Sequence, residues 1–389
     1  MKSMVLKYGC NPNQKPAQIR FAGDELPIKV LNGNPGYINF MDALNSWQLV
    51  KELRIALNMP AAASFKHVSP AGAAIGLPLN EEQKKACRVS DIDLSPLAAA
   101  YARARGADRL SSFGDWAAMS DTVDKPTAEI LRKEVSDGVI APGYTPEALE
   151  LLKQKRGGKY NVIQIDPAYE PPEIEARFIY GIEFLQKKNS VIPSFADLDN
   201  IVTDNKELPD AAKRDMILAM LTLKYTQSNS VCYVHDGQVI GSGAGQQSRI
   251  HCTRLAGDKA DIWYLKQHPR VQGFKFKPEV GIADQDNAMD LFVRNDVTDY
   301  ELNMLQDILE TVPERLSQQE RQEWLKGLKN VTLGSDAFFP FRDNIDRAAQ
   351  SGVKYIVQAG GSLRDDIVIN ACNEYGMVMV TTGLRLFHH

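Results

Sequence analysis

The amino-acid sequence predicts an α/β fold. Strand-like apolar runs alternate along the chain with amphipathic helical patterns, which is the signature of layered α/β architecture. The chain has 389 residues, more than one hydrophobic core ordinarily serves, so two domains are expected. A weak internal similarity is the third observation. Ser112-Phe113-Gly114-Asp115, a helix, then Gly138-Val139-Ile140-Ala141 resembles Ser335-Asp336-Ala337-Phe338, a helix, then Gly352-Val353-Lys354-Tyr355-Ile356. An old duplication and chance similarity both account for it.

A helix is expected over 42–57, where Leu44, Trp47, Val50, Leu53 and Leu57 share one face. Asn58-Met59-Pro60 ends it, since proline cannot continue a helix. The run 61–65 reads as a short buried strand that ends in Lys66-His67, and Pro70-Ala71-Gly72 is expected to turn the chain. A helix over 127–135 leads through Asp137-Gly138 into a strand at 139–141. Residues 153–176 are enriched in Lys, Gly, Pro and Glu. That shift marks a candidate boundary between units 1–170 and 171–389. The second half resumes with a helix over 211–225 and a hairpin, 231–235 and 238–241, closed by Asp236-Gly237. A glycine-rich loop at 241–245 opens a helix carrying Arg249 and Arg254. Residues 300–330 read as a charged helical excursion, and the last 60 residues as β-α-β-α-β.

Composition is ordinary for a globular protein, with 44% hydrophobic and 24% charged residues. A net charge of −4 and a pI near 5.9 argue against a nucleic-acid binder, which would carry a basic stripe. They leave room for a small phosphorylated ligand. No apolar run approaches the roughly 18–20 residues that span a bilayer, and the N-terminus lacks an h-region and cleavage site. A cytoplasmic protein with no membrane partner is expected. The five cysteines, Cys10, Cys87, Cys232, Cys252 and Cys372, are scattered with no C-x-x-C pair. Reduced, mostly buried thiols are expected, and no structural zinc.

Four segments offer chemistry. In AAASFKHVSPAGAAIG, residues 61–76, a buried strand delivers Lys66-His67 into a run of small residues that lets a ligand approach the backbone. A histidine beside a lysine is biased toward its neutral form, which is a competent general base. The lysine suits stabilisation of an oxyanion or protonation of a leaving nitrogen. A surface lysine beside a core histidine is the plain alternative. The polar run Lys224-Tyr225-Thr226-Gln227-Ser228-Asn229-Ser230 offers the Asn229 amide to a developing carbonyl oxygen, or simply caps a helix.

The glycine run 241–245 is no dinucleotide fingerprint, because Gln246 replaces its third glycine, and no P-loop occurs. It is either an anion-holding turn with Arg249 as partner to a phosphate or carboxamide, or a plain tight turn. The segment 335–344, with Phe338, Phe339 and Phe341 around an acid and a base, suits a flat heteroaromatic ligand or an ordinary core. The ending Leu384-Arg385-Leu386-Phe387-His388-His389 is expected to dock.

Several blocks together carry a family resemblance. LNGNPGYINFMDALNSWQLVKEL, AAASFKHVSPAGAA, YARARGADRLSSFGD, EVSDGVIAPGY, KYTQSNSVCYVHDGQVIGSGAGQQSRIHCTRLAGDKA, SDAFFPFRDNIDRA and LRLFHH appear in that order. From Lys7 to His389 the chain resembles the AICAR transformylase domain of the bifunctional purine-biosynthesis proteins, whose other domain is IMP cyclohydrolase. The resemblance implies transfer of the formyl group of 10-formyltetrahydrofolate to the 5-amino group of AICAR, in purine (IMP) biosynthesis. That amine is a weak nucleophile, so a base is chemically required.

By the same resemblance His67 is the proton acceptor. Lys66 stabilises the transition state and aids departure of the folate nitrogen, and Asn229 orients the reacting groups. Lys7, Tyr8, Gly114, Asp137, Arg249, Phe338 and Arg385 match substrate-binding positions. Ile250, Asp343, Ser362 and Leu363 match folate-binding positions, with the Ser362-Leu363 loop departing most from the family pattern. Lys7 stands where the family often has Arg, which keeps the charge and loses the bidentate fork. Thr226, Ser228, Ser230, Asp336, Leu386 and His388 match a potassium site.

The implied fold is two cytidine-deaminase-like three-layer α/β units without zinc, since H-x-E and P-C-x-x-C are both absent. The implied assembly is a homodimer with active sites across the interface. The start MKSMVLKYG reads as native, so a stand-alone transformylase without IMP cyclohydrolase activity is expected. Two other readings remain. One is a catalytically silent purine-ribonucleotide binder or assembly protein, against which Lys66, His67 and Asn229 stand. The other is a formate- and ATP-dependent ligase making the same product, disfavoured by the missing P-loop.

Overall fold

The computed structural model describes residues 2–389. Two hairpins stand apart from the main sheet, β1 (Lys2–Leu6) with β2 (Ala17–Phe21), and β9 (Ile174–Ile179) with β10 (Ile182–Lys187). The other strands form one eleven-stranded sheet. The first half supplies β3 (Ile28–Asn32), β4 (Ala61–Lys66), β5 (Ser69–Ile75), β6 (Asp115–Met119), β7 (Ser136–Ala141) and β8 (Asn161–Ile165). The second supplies β11 (Val231–His235), β12 (Gln238–Gly243), β13 (Val331–Ser335), β14 (Val353–Gln358) and β15 (Val378–Thr381).

About the β5–β12 join the strand order repeats on the two sides over five strands each, with β3 added as an extra edge strand antiparallel to β8. Outward in one direction run β5, β4, β6, β7 and β8, and in the other β12, β11, β13, β14 and β15. Each half opens with an antiparallel hairpin, adds an antiparallel strand, then two parallel ones. The helices correspond too. In the first half these are α1 (Tyr37–Leu57), the short α2 (Glu81–Ala86), α3 (Pro96–Gly106), α4 (Lys125–Lys133) and α5 (Pro146–Gln154). The second half has α6 (Asp210–Lys224) and α7 (Arg249–Leu265), in the places of α1 and α3.

An insertion follows, with α8 (Pro269–Gln272), α9 (Ile282–Val293), α10 (Asp299–Asn303), α11 (Leu305–Ile308) and α12 (Gln318–Leu325). Then α13 (Asp343–Gln350) and α14 (Asp365–Glu374) match α4 and α5. The similarity noticed in the sequence therefore has a topological counterpart, but its first block is out of register. Residues 112–115 run into the start of β6, whereas 335–338 leave the end of β13.

Three layers result. On one face α1 and α6 pack side by side over a core that draws Leu49, Val50 and Leu53 together with Met216, Leu218 and Leu221. Glu52 and Lys224 tie the two helices with an ion pair of 2.7 Å. Lys224, which begins the polar run of the sequence, is thus a core tie. On the other face each half keeps a separate core, under α3, α4 and α5 and under α7, α13 and α14.

Glycine permits the tight seams. A Cβ on Gly72 of β5 would stand 2.1 Å from the Ala104 carbonyl oxygen of α3, and one on Gly241 of β12 the same 2.1 Å from Ala256 of α7. Gly241 and Gly243 are therefore strand residues under a helix. This overturns their reading as a loop and as an anion cradle.

Other expectations shift by identifiable causes. Helix α1 starts five residues before position 42, because Asn39 caps the Gly36 N–H at 2.9 Å. Pro70-Ala71-Gly72 does not turn the chain. The turn is at His67-Val68, and Pro70 lies in β5 opposite Phe65, next to a register shift between Ser64 and Phe65. That irregularity accommodates a residue with no N–H to give. Strand β8 falls inside the 153–176 stretch and pairs with β7 and β3, so that segment is sheet as well as connection. Four cysteines are buried and Cys10 is exposed, all free. No helix among the described residues is long and apolar enough to cross a membrane.

Candidate functional site

Two polar clusters, one from each half, meet at the start of β5. In the first half the C-terminal end of β4 lies beside the N-terminal ends of β6 and β7, with Phe65 opposite Trp116 and Asp115 opposite Ser136. This brings Lys66, Gly114 and Asp137 to one edge. The Lys66 ammonium donates to the carbonyl oxygen of Phe113, next to Gly114. Gly114 has φ +74 and nothing within 4 Å of where a Cβ would be, so its backbone is open to a ligand. Asp137 pairs with Arg156 at 3.0 Å.

His67 and Val68 form the tip of the β4–β5 hairpin with φ 53° and 62°. Left-handed backbone at a β-branched residue is a genuine outlier. The plain reading, a core histidine beside a surface lysine, does not hold: His67 is exposed and Lys66 half-buried. Beneath the tip, Asp42 of α1 accepts the Val68 N–H at 2.6 Å. Burial pushes the Asp42 carboxyl up to about 6, against the lowering effect of the Val68 hydrogen bond and of His67.

In the second half Asp336, with no exposed surface, organises the cluster. One carboxylate oxygen pairs with Arg249. The other accepts from the Ser228 hydroxyl at 2.6 Å, the Ser230 N–H at 3.0 Å and the Ser230 hydroxyl at 3.1 Å. Arg249 is buried, and its remaining donors reach Ser335 at 3.0 Å, the Ser230 carbonyl at 3.2 Å and the Asn229 side-chain oxygen at 2.9 Å. Nη1 is thereby committed to the cluster, and Nη2 holds the Asn229 side chain. The Asn229 amide nitrogen donates to the Gln247 carbonyl at 3.1 Å.

The C-terminus docks onto this cluster as expected. Leu386 N–H donates to the Asp336 carbonyl at 2.8 Å and Ser228 N–H to the His388 carbonyl at 3.0 Å. His388 N–H returns a bond to the Ser228 hydroxyl at 3.0 Å. Burial lowers the pKa of the His388 imidazole, with Arg177 adding to the effect.

The clusters touch where the Gln227 N–H donates to the Ser69 hydroxyl at 3.3 Å, two residues beyond His67. The other residues singled out in the sequence lie on separate elements. Phe338 and Phe341 are 41% and 52% exposed beside Asp343 at the start of α13. Ser362 and Leu363 occupy the loop between β14 and α14, with Leu363 fully exposed. Arg385 stacks over the Phe387 ring at 4.9 Å. Ile250 is half-buried in the first turn of α7. Thr226 bonds back to the Thr222 carbonyl at 2.7 Å. Lys7 and Tyr8 follow the β1–β2 hairpin's first strand, with Lys7 exposed and its ammonium 6.0 Å from the Tyr8 ring centre; no hydrogen bond joins them to either cluster.

Asp42 and Ser69 escaped the sequence reading. A signal existed for Asp42: it falls in line with buried Ser46, Leu49 and Leu53 on α1, a carboxylate on an apolar row. Among the described residues no three His, Cys, Asp or Glu side chains are grouped to hold a metal ion.

Fold and site define a duplicated α/β protein whose polar site joins its two halves. The family model described as the AICARFT/IMPCHase bienzyme matches residues 1–259, and the chain belongs to that family. Among curated relatives, the bifunctional purine biosynthesis protein PurH of Magnetococcus marinus is 29% identical, over all of this chain and 60% of its own length. Those of Ruegeria sp. and Clostridium acetobutylicum are each 30% identical over all of this chain and 60% and 59% of theirs. The chain thus spans about 60% of the length of the curated relatives it matches.

Proposed function

We propose that the chain is an AICAR formyltransferase, moving a formyl group from 10-formyltetrahydrofolate to the 5-amino group of AICAR. The observation that carries this is the contact between the Ser69 hydroxyl and the Gln227 N–H. It ties the residue two beyond His67 to the residue two before Asn229, which supports reading the Lys66-His67 tip and Asn229 as parts of one site. The folate supplies the activated formyl group and its N10 is the leaving nitrogen. His67 takes the proton from the amine as nitrogen attacks carbon. The Lys66 ammonium stabilises the developing oxyanion and gives a proton toward the departing nitrogen. Asn229, held by Arg249, orients the reacting carbonyl.

Gly114, Asp137, Phe338 and Arg385 are assigned to AICAR, together with Lys7 and Tyr8. Arg249 is assigned to AICAR as well, and its Nη2 orients Asn229. Ile250, Asp343, Ser362 and Leu363 are assigned to the folate, with Phe341, two residues before Asp343, exposed to meet a flat ring. Thr226, Ser228, Ser230, Asp336, Leu386 and His388 can offer hydroxyl, carboxylate and backbone carbonyl oxygens. With the Asp336 charge taken by Arg249, such a set fits a monovalent ion such as potassium.

The decisive assay is AICAR-dependent formation of tetrahydrofolate from 10-formyltetrahydrofolate. Turnover is expected. A folded protein that binds AICAR without turnover would promote the silent binder, and activity only with ATP and formate would promote the ligase. A homodimer is part of this reading. Every residue of β9 and β10 is exposed, including Phe178, Ile182, Phe184 and Leu185. A lone two-stranded hairpin is marginal in water, so a second copy is expected to cover it. Sedimentation equilibrium should give twice the chain mass, and a monomer at micromolar concentration would refute the dimer.

A further inference from the structure

The two halves hold their hairpin tips with the same device. Asp42 is the sixth residue of α1 and accepts the N–H of Val68, the second turn residue, at 2.6 Å. Asp215 is the sixth residue of α6 and accepts the N–H of Gly237, the second turn residue of the β11–β12 hairpin, at 2.8 Å. Both carboxylates are buried, and burial pushes both up to about 6. At neutral pH each is mainly ionised, so each bond has a charged acceptor and is strong. Backbone geometry repeats as well, with φ 53° and 62° at His67 and Val68 against 48° and 73° at Asp236 and Gly237.

The turn residues differ, and Asp215 also has the Arg214 guanidinium 3.7 Å away. Asp-Gly suits a two-residue hairpin turn with positive φ at both positions. His-Val does not, because a β-branched side chain resists the left-handed region. In the second half the carboxylate supports a turn its own residues favour. In the first it holds a turn its residues oppose, and the residue held there is His67.

We propose that Asp42 is a positioning residue for formyl transfer: by clamping the Val68 N–H it keeps the His67 imidazole at the working end of the hairpin tip. This rests on the reading of His67 as the base. Asp42 also faces His67, Asp137 and Asp115 electrostatically, and Asp115 is itself paired with Arg105 at 2.6 Å. Asp215, at the opposite pole of the sheet, serves as an internal control.

The test compares Asp42→Ala with Asp215→Ala. Both are expected to melt at lower temperature. Only Asp42→Ala should lose kcat, by about tenfold to 10²-fold, as a displaced catalytic group does, with little change in KM for AICAR. Asp42→Ser, which retracts the acceptor, takes its place if the alanine protein does not fold. Glycine at position 68 adopts the turn without a clamp, so in a Val68→Gly background the same Asp42 substitution should cost markedly less, a coupling read by a double-mutant cycle. Wild-type kcat in whichever Asp42 variant folds overturns the proposal, as does an equal loss in both backgrounds. A wild type with no turnover instead sinks the underlying reaction, so the two failures are distinguishable.

Discussion

Substituting His67 is expected to lower kcat for formyl transfer by about 10²-fold or more, the scale of a lost general base. The choice of substituent matters because the residue sits at φ 53°. Alanine disfavours that conformation, and a loss in His67→Ala would mix missing chemistry with a moved turn. Asparagine enters the left-handed region most readily among non-glycine residues. His67→Asn therefore keeps the tip and removes only the base. Both variants should fold, since His67 is exposed and packs into no core. Rapid-quench single-turnover rates locate the effect in the chemical step. If His67→Asn turns over at the wild-type rate, another group takes the proton and Lys66, one residue back, becomes the first to test.

The second large effect is at Asp336. Replacing it with asparagine leaves the buried Arg249 guanidinium without its counter-charge and exchanges one of the two oxygens that serve Arg249, Ser228 and Ser230 for an amide donor. Removing one partner of a buried ion pair costs about 3–5 kcal/mol, so Asp336→Asn should show a clearly lower urea midpoint. Its effect on activity follows from the chain Asp336–Arg249–Asn229: an untethered Arg249 no longer orients the Asn229 amide, and kcat falls even under conditions where the protein is folded. The same variant tests the cation. Exchanging sodium for potassium should raise the melting temperature of the wild type and leave that of Asp336→Asn unmoved. Wild-type stability in Asp336→Asn would mean that Arg249 finds another partner and that the cluster is not organised as described.

Much of the fold was legible from hydrophobic periodicity. The hairpin of β11 and β12, helix α6 and the closing β-α-β-α-β run all sit within a few residues of expectation, because buried strands and amphipathic helices announce themselves locally. The errors have a common cause. Gly241 and Gly243 look like loop residues in a linear string and are strand residues because a helix backbone passes within contact of them. Pro70 looks like a turn former and lies in β5 at a register shift. In each case a partner distant in sequence overrode the local preference. Asp42 went unread for the same reason, since its role exists only once α1 lies under the β4–β5 tip.

The sequence by itself determined the α/β class and the alternation of elements, and it marked the Lys66-His67 pair and the polar run around Asn229 as chemically suited residues. Those properties reside in side-chain type and spacing, which need no partner to be recognised. Tertiary structure alone decided which of them meet. It brought Ser69 to Gln227 across 158 positions of chain, turned Arg249 inward onto Asp336, and made of a faint internal similarity two halves sharing one sheet and, on one of its faces, one core. Hydrogen bonds and ion pairs act over a few ångströms of space, whatever the distance along the chain.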